Sequence, residues 1–173
     1  MPVFFSDEEL AVVEAACARL IPTDEDPGAT EAGVAHYIDG FLGAFSGRFG
    51  GSAGFASFHH LTPLDELAWR TRIEGSAGRP EREWNGPVVG LQERYREGLQ
   101  LLGDDFTAVD GEEQDRRLRD HATFTRLLYE HACEGMYGAP EYGGNRDLVG
   151  WRYIGFDGDV QPRGYTDEEV SGP

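Results

Sequence analysis

Hydrophobic positions near the start of the chain recur at helical spacing: Leu10, Val13, Cys17 and Leu20 fall on one face. Ser6-Asp7-Glu8-Glu9 stands before them as a capping box, with Ser6 as N-cap and Glu9 three residues on, and Phe5 is placed to staple onto Leu10. Pro22 stops this helix soon after Ile21, and an Asp- and Pro-rich turn follows from Thr23 to Gly28. A second stripe of Val34, Ile38, Phe41, Leu42 and Phe45 predicts a helix from about Thr30 to Phe45. Gly33, Gly40 and Gly43 weaken it intrinsically, so tertiary packing must hold it. Ser46 to Phe58 reads as a loop. Thr62-Pro63 opens a third helix, with Pro at its first position, through Leu64, Leu67, Ala68 and Trp69 to about Glu74. Gly75 to Pro87 is a breaker-rich loop holding Trp84. Leu91, Tyr95, Leu99 and Leu102 line one face of a helix predicted from Val88 to Leu102. Asp110-Gly111-Glu112-Glu113 caps a further helix through Leu118, and the pattern resumes through Phe124, Leu127, Leu128, His131 and Gly135, as one bent helix or two.

The pattern changes after that. Glu141 to Phe156 holds four glycines, Asn145-Arg146-Asp147 and a high density of aromatics. Glycine suits positive φ and close approach, and aromatics at this density favour burial. The stretch therefore reads as an ordered, packed, non-repetitive segment. Asn145 and Asp147 suit local turn hydrogen bonds, and the five donors of Arg146 suit carboxylates or carbonyls. The fold expected is all-α: a single helical domain over residues 1–160 with long ordered loops and an extended C-terminal segment, then a polar tail over 161–173.

Charge narrows the function classes. The 173 residues carry a net charge of −17, and every one of the 15 cations is Arg. No basic stripe is available to displace condensed counterions, which argues against nucleic acid, and an anionic membrane surface would repel the chain. No apolar run approaches the ~20 residues of a spanning helix. The N-terminus shows no positively charged leader, so the sequence as written is expected to remain cytoplasmic. Cys17 and Cys133 read as two buried thiols.

Motifs for chemistry are sparse. A helical carboxylate-bridged metal site needs Glu three residues before each His, but those positions hold Gly33, Ala56, Ser57, Leu118 and Leu128. Asp24-Glu25-Asp26 lacks the alternating oxygens of a calcium loop, and the adjacent His59 and His60 point different ways. There is no zinc, haem-attachment, dinucleotide or nucleophile-elbow motif. Asp104-Asp105 and Glu112-Glu113 sit beside loop or cap signals. Tyr142 to Asn145 reads as a structural turn, with an anion nest as the rival reading. No catalytic, cofactor or metal site is expected in this chain. Aromatics and Arg in loops point to an interface instead: Trp84, Tyr142, Asn145, Arg146, Trp151, Arg163 and Tyr165 are the candidate contacts, with burial in the protein's own core as the alternative for Trp151 and Phe156.

One resemblance organises these observations. Pro140-Glu141-Tyr142-Gly143-Gly144-Asn145-Arg146-Asp147, Val149-Gly150-Trp151 and Ile154-Gly155-Phe156 resemble the C-terminal signature of the gluconate 2-dehydrogenase subunit 3 family. Leu20-Ile21-Pro22, Glu31-Ala32-Gly33-Val34, Tyr95-Arg96-Glu97-Gly98-Leu99 and Gln114-Asp115 match the family in the same order, while Gly43 to Gly90 matches poorly. The resemblance implies a small subunit without a cofactor of its own. It implies a large catalytic partner of the glucose-methanol-choline class that holds FAD and oxidises a sugar, sugar acid or glycoside, often with a multihaem cytochrome c subunit. The family's small subunits are thought to help the flavoprotein mature and to carry a twin-arginine export signal. This sequence lacks that signal, which leaves three readings: a removed presequence, a cytoplasmic complex, or export by the partner to the periplasm. A maturation chaperone that later dissociates and a free-standing enzyme with an unrecognised site are the alternative functions.

Overall fold

The computed structural model describes residues 2–46 and 61–158. Its helices are α1 (Asp7–Leu20), α2 (Ala29–Ala32), α3 (Val34–Leu42), α4 (Pro63–Glu74), α5 (Leu91–Leu102), α6 (Gly111–Asp120), α7 (Ala122–Tyr137) and α8 (Val149–Ile154), with 3₁₀ turns at Pro80–Arg82, Pro140–Tyr142 and Arg146–Leu148. No strand occurs among the described residues, so the all-α expectation stands. The loop expected over Ser46–Phe58, the pair His59 and His60, and the tail over 161–173 fall outside the described residues, apart from Ser46 itself.

The caps behave as their sequences dictate. The Ser6 hydroxyl accepts from the Glu9 amide at 3.1 Å, and the Glu9 carboxylate accepts from the Ser6 amide at 2.8 Å. Thr62 and Asp65 repeat this box at α4. These pairs satisfy amides that a helix start leaves without partners. The predicted second helix is instead two. Gly33 sits at φ 71, which ends α2 and turns the chain into α3. The helix predicted from Val88 begins three residues later, because the Gly90 backbone lies directly against Glu74 and Gly75 with no room for a side chain. The stretch after Asp110 resolves as two helices parted at His121.

α1, α3 and α7 pack on one another and form the centre, with α5 and α6 against its flanks. Val13, Ile38, Leu42, Leu102, Leu128 and Met136 are fully enclosed there. Gly98 lets the Phe124 ring lie directly on α5, where any Cβ would overlap it. Cys17 is buried as expected, Cys133 is only half-buried, and both are free thiols.

One buried polar group fixes the N-terminus. Asp39, 3% exposed on α3, accepts the amides of Val3 at 2.6 Å and of Phe4 and Phe5 at 2.9 Å each. Residues 3–5 can lie this close because Gly43 leaves space that Val3 fills.

His131 is 2% exposed and shares a 2.8 Å hydrogen bond with the Tyr95 hydroxyl, its ring parallel to Tyr95 and edge-on to Phe41. It is a satisfied core histidine. Burial lowers its pKa below the usual histidine value, the Glu134 and Glu130 carboxylates oppose that, and Arg72 adds to it. Below about pH 6.5 the unfolded chain therefore binds a proton at this position that the folded chain resists. Its contribution to stability is whole above that pH and is lost as pH falls through it. Denaturant unfolding between pH 7.5 and pH 5 should show a steeper decline for the wild type than for His131→Gln. Parallel pH profiles would show that His131 is not the titrating group.

Candidate partner interface

The C-terminal stretch is built around the end of α7, whose last carbonyls need partners. The Asn145 amide donates to the Gly135 carbonyl at 2.7 Å, its side-chain Nδ2 donates to Gly138 at 3.0 Å, and the Trp151 indole donates to Tyr137 at 2.8 Å. Oδ1 of Asn145 accepts the Gly150 amide at 2.9 Å, inside the first turn of α8. One side chain thus closes one helix and opens another. Asn suits this because its amide offers a donor and an acceptor at once. The glycines follow from the same geometry. A Cβ on Gly144 would overlap the Gly135 carbonyl, and one on Gly150 would overlap that of Met136. Left-handed backbone at Asn145, Asp147 and Leu148 (φ 44, 55 and 58) tightens the turn, an arrangement that is costly for non-glycine residues and that Leu148 in particular adopts only under constraint.

This clasp presents apolar groups outward. Leu148, Tyr153, Ile154 and Phe156 are exposed, and Phe156 packs edge-on to Trp151 with centroids 4.8 Å apart. Beside the clasp, two adjoining hollows share Leu20 and Tyr129. The larger, about 600 Å³, lies against α6 and the start of α7 and is rimmed by Arg19, Arg119 and Arg126. The smaller, about 230 Å³, runs over Cys133 and Tyr153 to Asp24 and Asp26 in the turn after α1. Arg19 makes a bidentate pair with Asp115 at 2.7 Å to both oxygens, and that hydrogen bond holds the Asp115 carboxyl below its ordinary value.

A second apolar display sits on the 75–90 loop. Its base is fixed: Arg82 is buried, pairs with Glu74 at 2.9 Å and donates to the Gly75 carbonyl, while Ser76 and Val88 exchange hydrogen bonds at 3.0 Å. Trp84 projects from this base at 91% exposure, with Val88 and Val89 also exposed.

The residues singled out from sequence separate accordingly. Trp84 is fully available. Arg146 is exposed, with its guanidinium laid against Gly33 at the α2–α3 junction. Tyr142 and Trp151 are half-buried. Asn145 is 0% exposed and its polar atoms are spent inside the clasp, so it is an organiser and not a contact residue. The amides of Gly143 and Asn145 are also taken by backbone carbonyls, which leaves them unavailable to an anion. The expected extended segment is in fact helical over Val149–Ile154, and Phe156 lies on the surface, outside the core. Arg163 and Tyr165 lie outside the described residues. The groove has one signal in the sequence: Tyr129, Cys133 and Tyr137 at i, i+4 and i+8 give α7 a second apolar face.

Among the described residues no three His, Cys, Asp or Glu side chains converge as metal ligands would, and no helix is long and apolar enough to cross a membrane. A family model described as Gluconate 2-dehydrogenase subunit 3 matches residues 7–158. No curated protein and no solved structure matches the chain.

Proposed function

The chain belongs to the gluconate 2-dehydrogenase subunit 3 family, and on that footing we propose that it is the non-catalytic small subunit of a flavin-dependent dehydrogenase. Its partner is a large catalytic subunit of the glucose-methanol-choline class that holds the FAD and oxidises a sugar, sugar acid or glycoside. This chain stabilises that subunit and assists its maturation, and a cytochrome c subunit completes the electron path. The observation carrying the reading is the match over residues 7–158, which takes in nearly the whole chain and both ends of the fold. The surface supports it. Tyr153, Ile154, Phe156 and Trp84 spend aromatic and aliphatic area on solvent, which a partner would desolvate.

Co-expression with a flavoprotein encoded beside it tests the proposal. Purification through a tag on this chain should yield an equimolar yellow complex with a flavin spectrum, and the flavoprotein made alone should be less soluble and less flavinated. A flavoprotein equally soluble, flavinated and active without this chain would sink the reading.

A further inference from the structure

The groove between α1 and α7 differs from the rest of the surface in charge. The chain as a whole has 32 acids against 15 cations. Around the larger hollow that balance is inverted, with Arg19, Arg119 and Arg126 in its lining against Asp115 and against Glu130, which pairs with Arg126 from just outside it. Arg19 is committed to Asp115, Arg119 acts on that carboxylate only through space, and Arg126 reaches Glu130 at 3.1 Å from a largely solvated position. The cationic end thus keeps unspent positive charge. Its middle is apolar and aromatic, through Leu20, Tyr129 and Tyr153, and its far end carries Asp24 and Asp26. A groove polarised along its length selects the direction as well as the identity of what lies in it.

We infer that this groove is the seat of an extended segment of the catalytic subunit, with bulky apolar side chains over Tyr129 and Tyr153 and carboxylates toward Arg119 and Arg126. The inference rests on the accessory-subunit reading and deepens it by assigning the face that meets the partner. A second copy of the chain is the poorer occupant, since it would bring another −17 to the contact. A separate subunit can offer its carboxylates at the cationic end alone.

The groove contains its own reporter. Cys133 lines it and is half-buried, whereas Cys17 is enclosed and burial pushes its thiol up to about 12, which leaves it unreactive. Labelling with a maleimide, read by mass on the isolated chain and on the purified complex, should show Cys133 modified about tenfold or more slowly in the complex, with Cys17 unlabelled in both. The double substitution Arg119→Glu and Arg126→Glu, both on exposed helix faces, should keep the helical circular dichroism and weaken the complex about tenfold or more. If a complex forms but Cys133 labels as fast as in the free chain, or the double variant binds equally, the groove is not the seat and the accessory reading survives. If the isolated chain is a dimer with Cys133 already protected, a second copy holds the groove and the inference is overturned. If no partner is retained by the wild type, the inference falls together with the reading beneath it.

Discussion

Asn145→Ala is expected to destabilise the protein by about 3–5 kcal/mol. The substitution strands the buried Gly150 amide and the Gly138 carbonyl together, at about 1–3 kcal/mol each. It also puts alanine at φ 44, where the Cβ costs about 1–2 kcal/mol more. Asn145→Asp should rescue only part of the loss, because the carboxylate keeps the acceptor for the Gly150 amide but has no donor for Gly138. The denaturation midpoint gives the global cost. Hydrogen exchange at Gly150 and Trp151 localises it, since those amides should lose protection before the amides of α3 do. A loss under about 1 kcal/mol, with exchange unchanged at Gly150, would mean that the glycine contacts hold the clasp without the asparagine.

Asp39→Ala is the second large effect, expected at about 3–4 kcal/mol. Hydrogen bonds from neutral donors to a charged acceptor contribute about 1.5–3 kcal/mol each. Three amides converge on this carboxylate, although those of Val3 and Phe4 are partly within reach of water once it is gone. Phe5 should leave its buried seat beside Tyr95, 5.9 Å between ring centroids, and the capping box at Ser6 should fray with it. The measurements are thermal unfolding and proteolysis near the N-terminus, with deletion of residues 1–5 as the comparison. If deletion and Asp39→Ala each cost under about 1 kcal/mol, the N-terminal segment is a passenger on α3.

The helices were legible because their stripes and caps are local. Leu91, Tyr95, Leu99 and Leu102 all point inward, as spacing alone requires, and Ser6, Thr62 and Asp110 cap where their sequences place them. What escaped depends on groups distant in sequence. Gly33 parts two helices at a left-handed turn against which the Arg146 guanidinium packs from more than a hundred residues away. α8 is six residues long, too short to show a period, and forms because Asn145 supplies an acceptor to its first turn. Asp39 sits beside the apolar stripe of its helix and gives no sign in the sequence that its partners are backbone amides. The candidate interface was legible only in part. Aromatic density marked Trp84 and the clasp, but it could not distinguish Asn145, turned wholly inward, from Arg146, which faces out.

The placement of α1 against α3 and α7 also sets a timetable for synthesis. The side-chain links that tie α1 to α6 and α3 to α7, Arg19 with Asp115 and Tyr37 with Glu134, span 96 and 97 residues. At about 5–20 residues per second, the first helices wait on the order of 5–20 s on the ribosome before the helix that covers them is made. The face that α1 and α3 turn toward α7 stays open throughout, and the asparagine that locks α7 arrives later still. A nascent chain of this kind is a natural client for holding factors, and slowing translation after α3 should lower the yield of soluble protein.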